Sequence, residues 1–152
     1  MQLGEKDYRL AGLARLRESG LALDSDMFAG SVYLAGRAVE SMLRALIWRN
    51  DSEVRTGRKS LDTGHDLREL LQRVSNLGVL ADDEHREALA EAVQRLGRLW
   101  HNNMRFFHDD KLRSYWWQIK AIRGKRTLKQ AADEYYESCS AIVKRCEALC
   151  QK

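Results

Sequence analysis

The chain has 152 residues, a formal net charge of +4 and a pI near 9.1, with 44% apolar and 32% charged residues. That balance fits one domain over residues 1–152 with a core of its own, excludes a disordered polymer, and biases the surface mildly toward anionic partners. Proline is absent, so nothing interrupts a backbone ladder rich in Leu, Ala, Arg and Glu, and the expected fold class is all-α with about five helices.

The first helix is predicted over residues 5–19, with Tyr8, Leu13 and Leu16 apolar and Gly20 as its stop. The second follows an Asp24 or Ser25 cap and runs to Arg49, with Phe28, Val32, Ala35, Val39, Met42, Leu43 and Leu46 at helical spacing. Ala29, Gly30, Ala35 and Gly36 interrupt this stripe. Each interior glycine costs about 1 kcal/mol, so another element is expected to approach closely. NDSEVRTGRKSLDTG (50–64) is a polar loop.

A third helix begins near His65, buries Leu67, Leu70, Leu71 and Val74, and ends at Gly78. A fourth runs from Asp82 to Trp100, opening on acidic residues that complement the helix dipole and turning Leu89, Val93, Leu96 and Trp100 inward. Residues 102–124 carry no clear period. The last helix opens on a Thr127/Gln130 capping box and repeats Leu128, Ala132, Tyr135, Cys139, Ile142, Cys146 and Leu149, a seam for the core or for a dimer contact.

No apolar run approaches the roughly 20 residues a bilayer span needs, and MQLGEKDYRL is charged from Glu5. No membrane segment or signal peptide is therefore predicted, and a cytoplasmic location is expected. Cys139, Cys146 and Cys150 are three in number and lack CxxC spacing, which predicts reduced core thiols rather than disulfides or a metal site. Asp82 and His85 share a DxxH spacing, but no second carboxylate–histidine pair accompanies them to make a di-metal bundle. His85 is expected to face solvent.

YLAGRAVESMLRALI (33–47), GHDLRELL (64–71) and LWHNNMRFF (99–107), in that order, resemble the small HEPN domains of prokaryotes over roughly residues 28–145. The resemblance implies an up-and-down helical bundle that commonly forms a homodimer. Many members of that family are metal-independent endoribonucleases, with an Arg-x(4–6)-His motif from each protomer meeting across the dimer. Others pair with a minimal nucleotidyltransferase antitoxin in toxin–antitoxin or defence systems, and still others have lost the motif and serve as nucleotide-binding or structural modules.

Arg95 and His101, with five residues between them, meet that spacing, though Leu96 stands where catalytic members usually carry a polar residue. Histidine suits proton transfer and arginine the phosphate, because its planar fork stays charged and bonds two oxygens. On a regular helix positions six apart diverge by about 240°, so the pair converges only if the helix breaks before His101, as Asn102 and Asn103 favour. Arg98 and His101, at i, i+3, form a competing pair, as do Arg105 and His108. The alternative is a polar helix end with solvated charges.

His65 is expected as a neutral helix-terminal group, and Glu40, on an apolar face, as a site-organising carboxylate paired with an arginine of the fourth helix. The stretch KLRSYWWQIKAIRGKRTLK (111–129) sets Lys111, Arg113, Lys120, Arg123, Lys125, Arg126 and Lys129 among Tyr115, Trp116 and Trp117 without an acidic residue. Cations beside rings are the ingredients of single-stranded nucleic-acid binding; a basic rim with its aromatics in the core is the alternative. The functional expectation is RNA or nucleotide binding at Arg95, Arg98, His101, Asn102, Arg105 and His108, assisted by Lys111, Arg113, Lys120 and Arg123. The alternatives are an active endoribonuclease toxin and a helical module that partners a nucleotidyltransferase. No metal or other cofactor is expected.

Overall fold

The central element is a helix with apolar residues on nearly every side, and the other elements are arranged around it. The structure, a computed structural model, describes residues 1–62, 64–124 and 126–152. In chain order the helices are α1 (Glu5–Asp24), α2 (Phe28–Asn50), α3 (Ser52–Arg55), α4 (Leu67–Asn76), α5 (Arg86–Leu99), a 3-10 helix (Asn102–Phe106), α6 (Asp109–Gln118) and α7 (Leu128–Cys150). No β-strand occurs among the described residues, so the protein is all-α. None of these helices is long and apolar enough to cross a membrane.

Helix α2 packs on α1, α7, α4 and the 3-10 helix. Its small residues make the close approaches that their cost implies. Trp100 lies against Gly36, where a Cβ would fall 2.2 Å from the indole nitrogen. The indole Nε1 donates to the Tyr33 carbonyl at 3.2 Å, and the ring stacks on Tyr33. Gly30, by contrast, has no atom within 4 Å of its would-be Cβ. Gly12 of α1 gives the same clearance to Met42, whose Sδ would stand 2.7 Å from an added Cβ. The buried Ser19 hydroxyl donates to the Ser31 carbonyl at 2.8 Å, which satisfies a polar group inside this tight interface.

Two ends differ from the sequence expectation. Helix α1 does not stop at Gly20 but continues to Asp24, with Gly20 beside the Tyr136 ring; the turn falls at Asp26, whose φ is 56°. Neither Asp24 nor Ser25 caps α2. Instead, Asp109 Oδ1 accepts from the Ala29 backbone N–H at 2.8 Å, a cap brought in from α6. No local pattern encodes such a long-range cap.

The seven α-helices among the described residues exceed the expected five because α3 and α6 are short. Helix α3 falls in the polar loop, where Asp51 accepts from Glu53 N and Val54 N. The loop's Thr63 lies outside the described residues. Residues 102–124 hold the 3-10 helix and α6, whose inward side is only Met104, Leu112 and Trp116. Helix α5 begins at Arg86 rather than Asp82, because the preceding acidic residues form turns. One of them, Asp83, is buried and takes two hydrogen bonds from Arg145 of α7. The Arg145 guanidinium holds its carboxyl below the ordinary range.

The α7 seam is buried throughout its length, so it belongs to the core, and its capping box forms as expected. Substituting Gly36→Ala is expected to cost about 1–3 kcal/mol by overpacking against Trp100. Gly30→Ala is expected to gain up to about 1 kcal/mol from helix propensity. Denaturant unfolding of the two variants checks the contrast.

Candidate functional site

Helix α2 carries a carboxylate into the interior and surrounds it with cations from its own chain turns. Glu40 has 3% of its side chain exposed; Arg37 Nη1 donates to its Oε2 at 2.6 Å and Arg44 Nε to its Oε1 at 3.0 Å. These are i−3 and i+4 neighbours on α2, so the expected partner from the fourth helix (here α5) is not the one used. Spacing along a single helix suffices. Arg44 also donates to the Leu61 carbonyl at 3.0 Å and the Gly64 carbonyl at 2.6 Å, which fixes the approach to α4.

His65 sits at the end of that pinned segment, with Nδ1 2.9 Å from Glu40 Oε1 and 3.0 Å from Arg37 Nη1. It does not cap α4; Asp66 does, accepting from the Arg68 backbone N–H at 2.9 Å. The rest of the imidazole borders a hollow of about 440 Å³ lined also by Asp66, Arg68, Trp100, His101, Asn102 and Asn103. The stem of Arg68 crosses α5 at Gly97, where a Cβ would lie 2.9 Å from Arg68 Cγ. Arg68 thereby borders a second hollow with Glu91, Gln94, Arg95 and Arg98.

Helix α5 ends at Leu99, and Trp100 and His101 are extended, so the break before His101 is present. It turns His101 toward α4. Arg95 points the other way and donates to Ser138 Oγ of α7 at 3.0 Å, in a hollow with Trp116, Arg126, Glu134 and Tyr135. Arg95 and His101 thus line different hollows; Arg95 and Arg98 both border the second one, which Arg68 shares with the hollow of His101. At His101, Nδ1 accepts from the Asn103 backbone N–H at 3.0 Å, so the neutral ring carries its hydrogen on Nε2.

The remaining predicted residues are dispersed. Arg105 lies over the exposed Phe106 ring at 4.7 Å, and His108 is exposed at the start of α6. Lys111, Arg113, Lys120 and Arg123 are exposed; Arg113 pairs with Asp110 at 2.8 Å, and Arg123 Nε donates to the Lys120 carbonyl at 3.1 Å. Arg126 pairs with Glu134, and Lys125 lies outside the described residues. Of the rings beside these cations, Trp116 is core and donates to the Leu99 carbonyl, Tyr115 packs on Phe107, and Trp117 is 61% exposed. Only Trp117 is free to stack. His85 is exposed, as expected.

Arg68 went unremarked in the sequence, and Asn103 was noted only as favouring the helix break. The signal for Arg68 was its place in GHDLRELL, three residues beyond His65. No group of three metal-binding side chains occurs among the described residues. No protein-family model, curated protein or solved structure matches the chain.

All three cysteines are free and buried. Burial pushes the Cys146 thiol up to about 12 and the Cys150 thiol up to about 11, and raises Cys139 further. In the native protein at pH 8, reaction with a thiol reagent is expected to be about 100-fold slower than in the unfolded chain. Timed absorbance assays with and without denaturant check this.

Proposed function

We propose that this is a HEPN-like up-and-down bundle that binds RNA or a nucleotide through its phosphates, in the groove running from His65 and Arg68 to Arg98, His101, Asn102 and Asn103. The observation that carries this reading is the sharing of Arg68 by two adjoining hollows. Three guanidiniums (Arg68, Arg95 and Arg98) then line one path with an imidazole N–H, amide side chains and the carboxylates of Glu91 and Asp66, the latter 3.3 Å from the Arg68 guanidinium. Guanidiniums bond phosphate oxygens in pairs, and the amides add neutral donors. The exposed Lys111, Arg113, Lys120, Arg123 and Trp117 extend the path for a longer strand. In this reading the protein is cytoplasmic and needs no metal or cofactor to bind.

Binding of a labelled single-stranded RNA, followed by fluorescence anisotropy against salt concentration, tests the reading. Arg68→Ala and Arg98→Ala are each expected to weaken binding about tenfold, as loss of a charged hydrogen bond does. Each is also expected to reduce the slope of log affinity against log salt by about 0.7. Wild-type protein without salt-sensitive binding would overturn the reading.

A protein–protein contact is supported by a separate observation. Leu10, Leu13 and Leu21 of α1 and the adjacent Met27 are exposed, an apolar face of the kind a second chain covers. We read it as the homodimer contact, or as the seat of a nucleotidyltransferase partner in a toxin–antitoxin pair. Light scattering of the purified chain is expected to give twice the monomer mass, and Leu10→Lys with Leu21→Lys to return it to the monomer.

A further inference from the structure

A hollow of about 210 Å³ lies between α5 and α7, on the side where the chain leaves α6. Its apolar walls are Leu96 and Leu99 of α5, Trp116 of α6, Ala121 of the turn that follows, and Ala131 and Tyr135 of α7. The Trp116 and Tyr135 rings stand 5.7 Å apart, tilted by 44°. A cavity of about 150 Å³ with walls of this kind takes up benzene, so there is room here for one ring and a small substituent. Sites for drug-sized ligands run to roughly 300–1,000 Å³, and a nucleotide, with base, sugar and phosphate, exceeds this hollow.

The polar members of the lining are Arg95, Ser138, Arg126 and Glu134. Arg126 and Glu134 pair with each other. Arg95 is exposed, donates to the Ser138 hydroxyl at 3.0 Å, and pairs with no carboxylate among the described residues. A hydroxyl is a neutral acceptor. A carboxylate in its place takes two parallel bonds from the planar guanidinium, each roughly twice as strong as a neutral one. Glu134 on the same wall disfavours a second negative charge on whatever enters, which selects a monoanion over a phosphate dianion.

We propose that this hollow is a binding site for a monocarboxylate carrying a single apolar ring, with the carboxylate on Arg95 and the ring among Leu96, Leu99 and Trp116. Moving the ring out of water supplies the driving force, and the one uncompensated guanidinium fixes the orientation. The site shares only Arg95 with the phosphate groove and does not rest on the phosphate-binding reading.

The test is a titration of the isotope-labelled full chain with benzoate and, separately, with benzamide, which has the same ring and shape without the charge. Amide and indole signals are followed by NMR. Benzoate is expected to shift Leu96, Leu99, Ala121, Ala131 and the Trp116 indole, with a Kd of about 1 mM or tighter for a ligand of this size. Benzamide should bind at least about tenfold more weakly, as loss of a charged hydrogen bond requires.

Arg95→Gln is expected to bring benzoate down to the level of benzamide and to leave benzamide unchanged. Ala121→Leu fills the hollow from a turn rather than from a helix and should abolish binding of both, with the rest of its amide spectrum as the check on folding. Where that variant does not fold, the contrast between benzoate and benzamide in the wild type and in Arg95→Gln decides. Hollow signals left unmoved by benzoate at ten times the expected Kd would overturn the proposal. So would equal affinity for the two probes, or binding that persists in a folded Ala121→Leu. None of these results touches the groove reading, whose assay follows RNA and the Arg68 and Arg98 variants.

Discussion

A buried carboxylate is held in place by two arginines, and the geometry around the groove follows from how those arginines are anchored. Removing Glu40 from water is costly, and an unpaired charge in that position would destabilise the fold by about 3–5 kcal/mol. Arg37 and Arg44 offset that cost from the same helix, so the pairing needs no tertiary accident. Arg44 then spends its remaining donors on the Leu61 and Gly64 carbonyls. A requirement of charge neutrality inside α2 thus becomes a positional constraint on a loop, and through it on His65 and the start of α4.

Much of the fold is legible in the sequence because burial imposes a period. The stripes of α2 and α7 mark helices whose apolar positions all reach the core, and the α7 capping box forms between Thr127 and Gln130 as their spacing requires. The cysteines are buried for the same reason, since Cys139 and Cys146 sit at seam positions and Cys150 follows Cys146 by four residues on the same face. What failed was whatever depends on distant chain. Asp109 caps α2 across 80 residues, and no window of local sequence contains both partners. Helix α6 has ten residues and buries Leu112 and Trp116, too few to establish a period against its exposed charged and polar side chains.

The site was legible in composition but not in pairing. Spacing from Arg95 to His101 drew attention to the end of α5, and the predicted break before His101 is there. Spacing alone does not say which way the chain turns after the break. Trp100 decides that, because its indole lies in the notch at Gly36 and donates to the Tyr33 carbonyl. Anchored there, the extended chain carries His101 to the α4 side. Arg95, one turn inside α5, stays on the α7 side with Ser138. Glu40 and His65 were singled out separately, with no sequence rule to join them.

Two glycines therefore do more for the groove than their lack of a side chain suggests. Gly36 admits the indole that turns the end of α5, and Gly97 admits the stem of Arg68 across that same helix. A methyl group at Gly36 would push against a ring wedged between helices. At Gly97 it would meet Arg68 Cγ, part of a flexible stem able to swing aside. The first glycine is bound up with folding and the second with where one cation stands. Packing of the core and the position of one groove cation therefore depend on glycines of two different helices, α2 and α5.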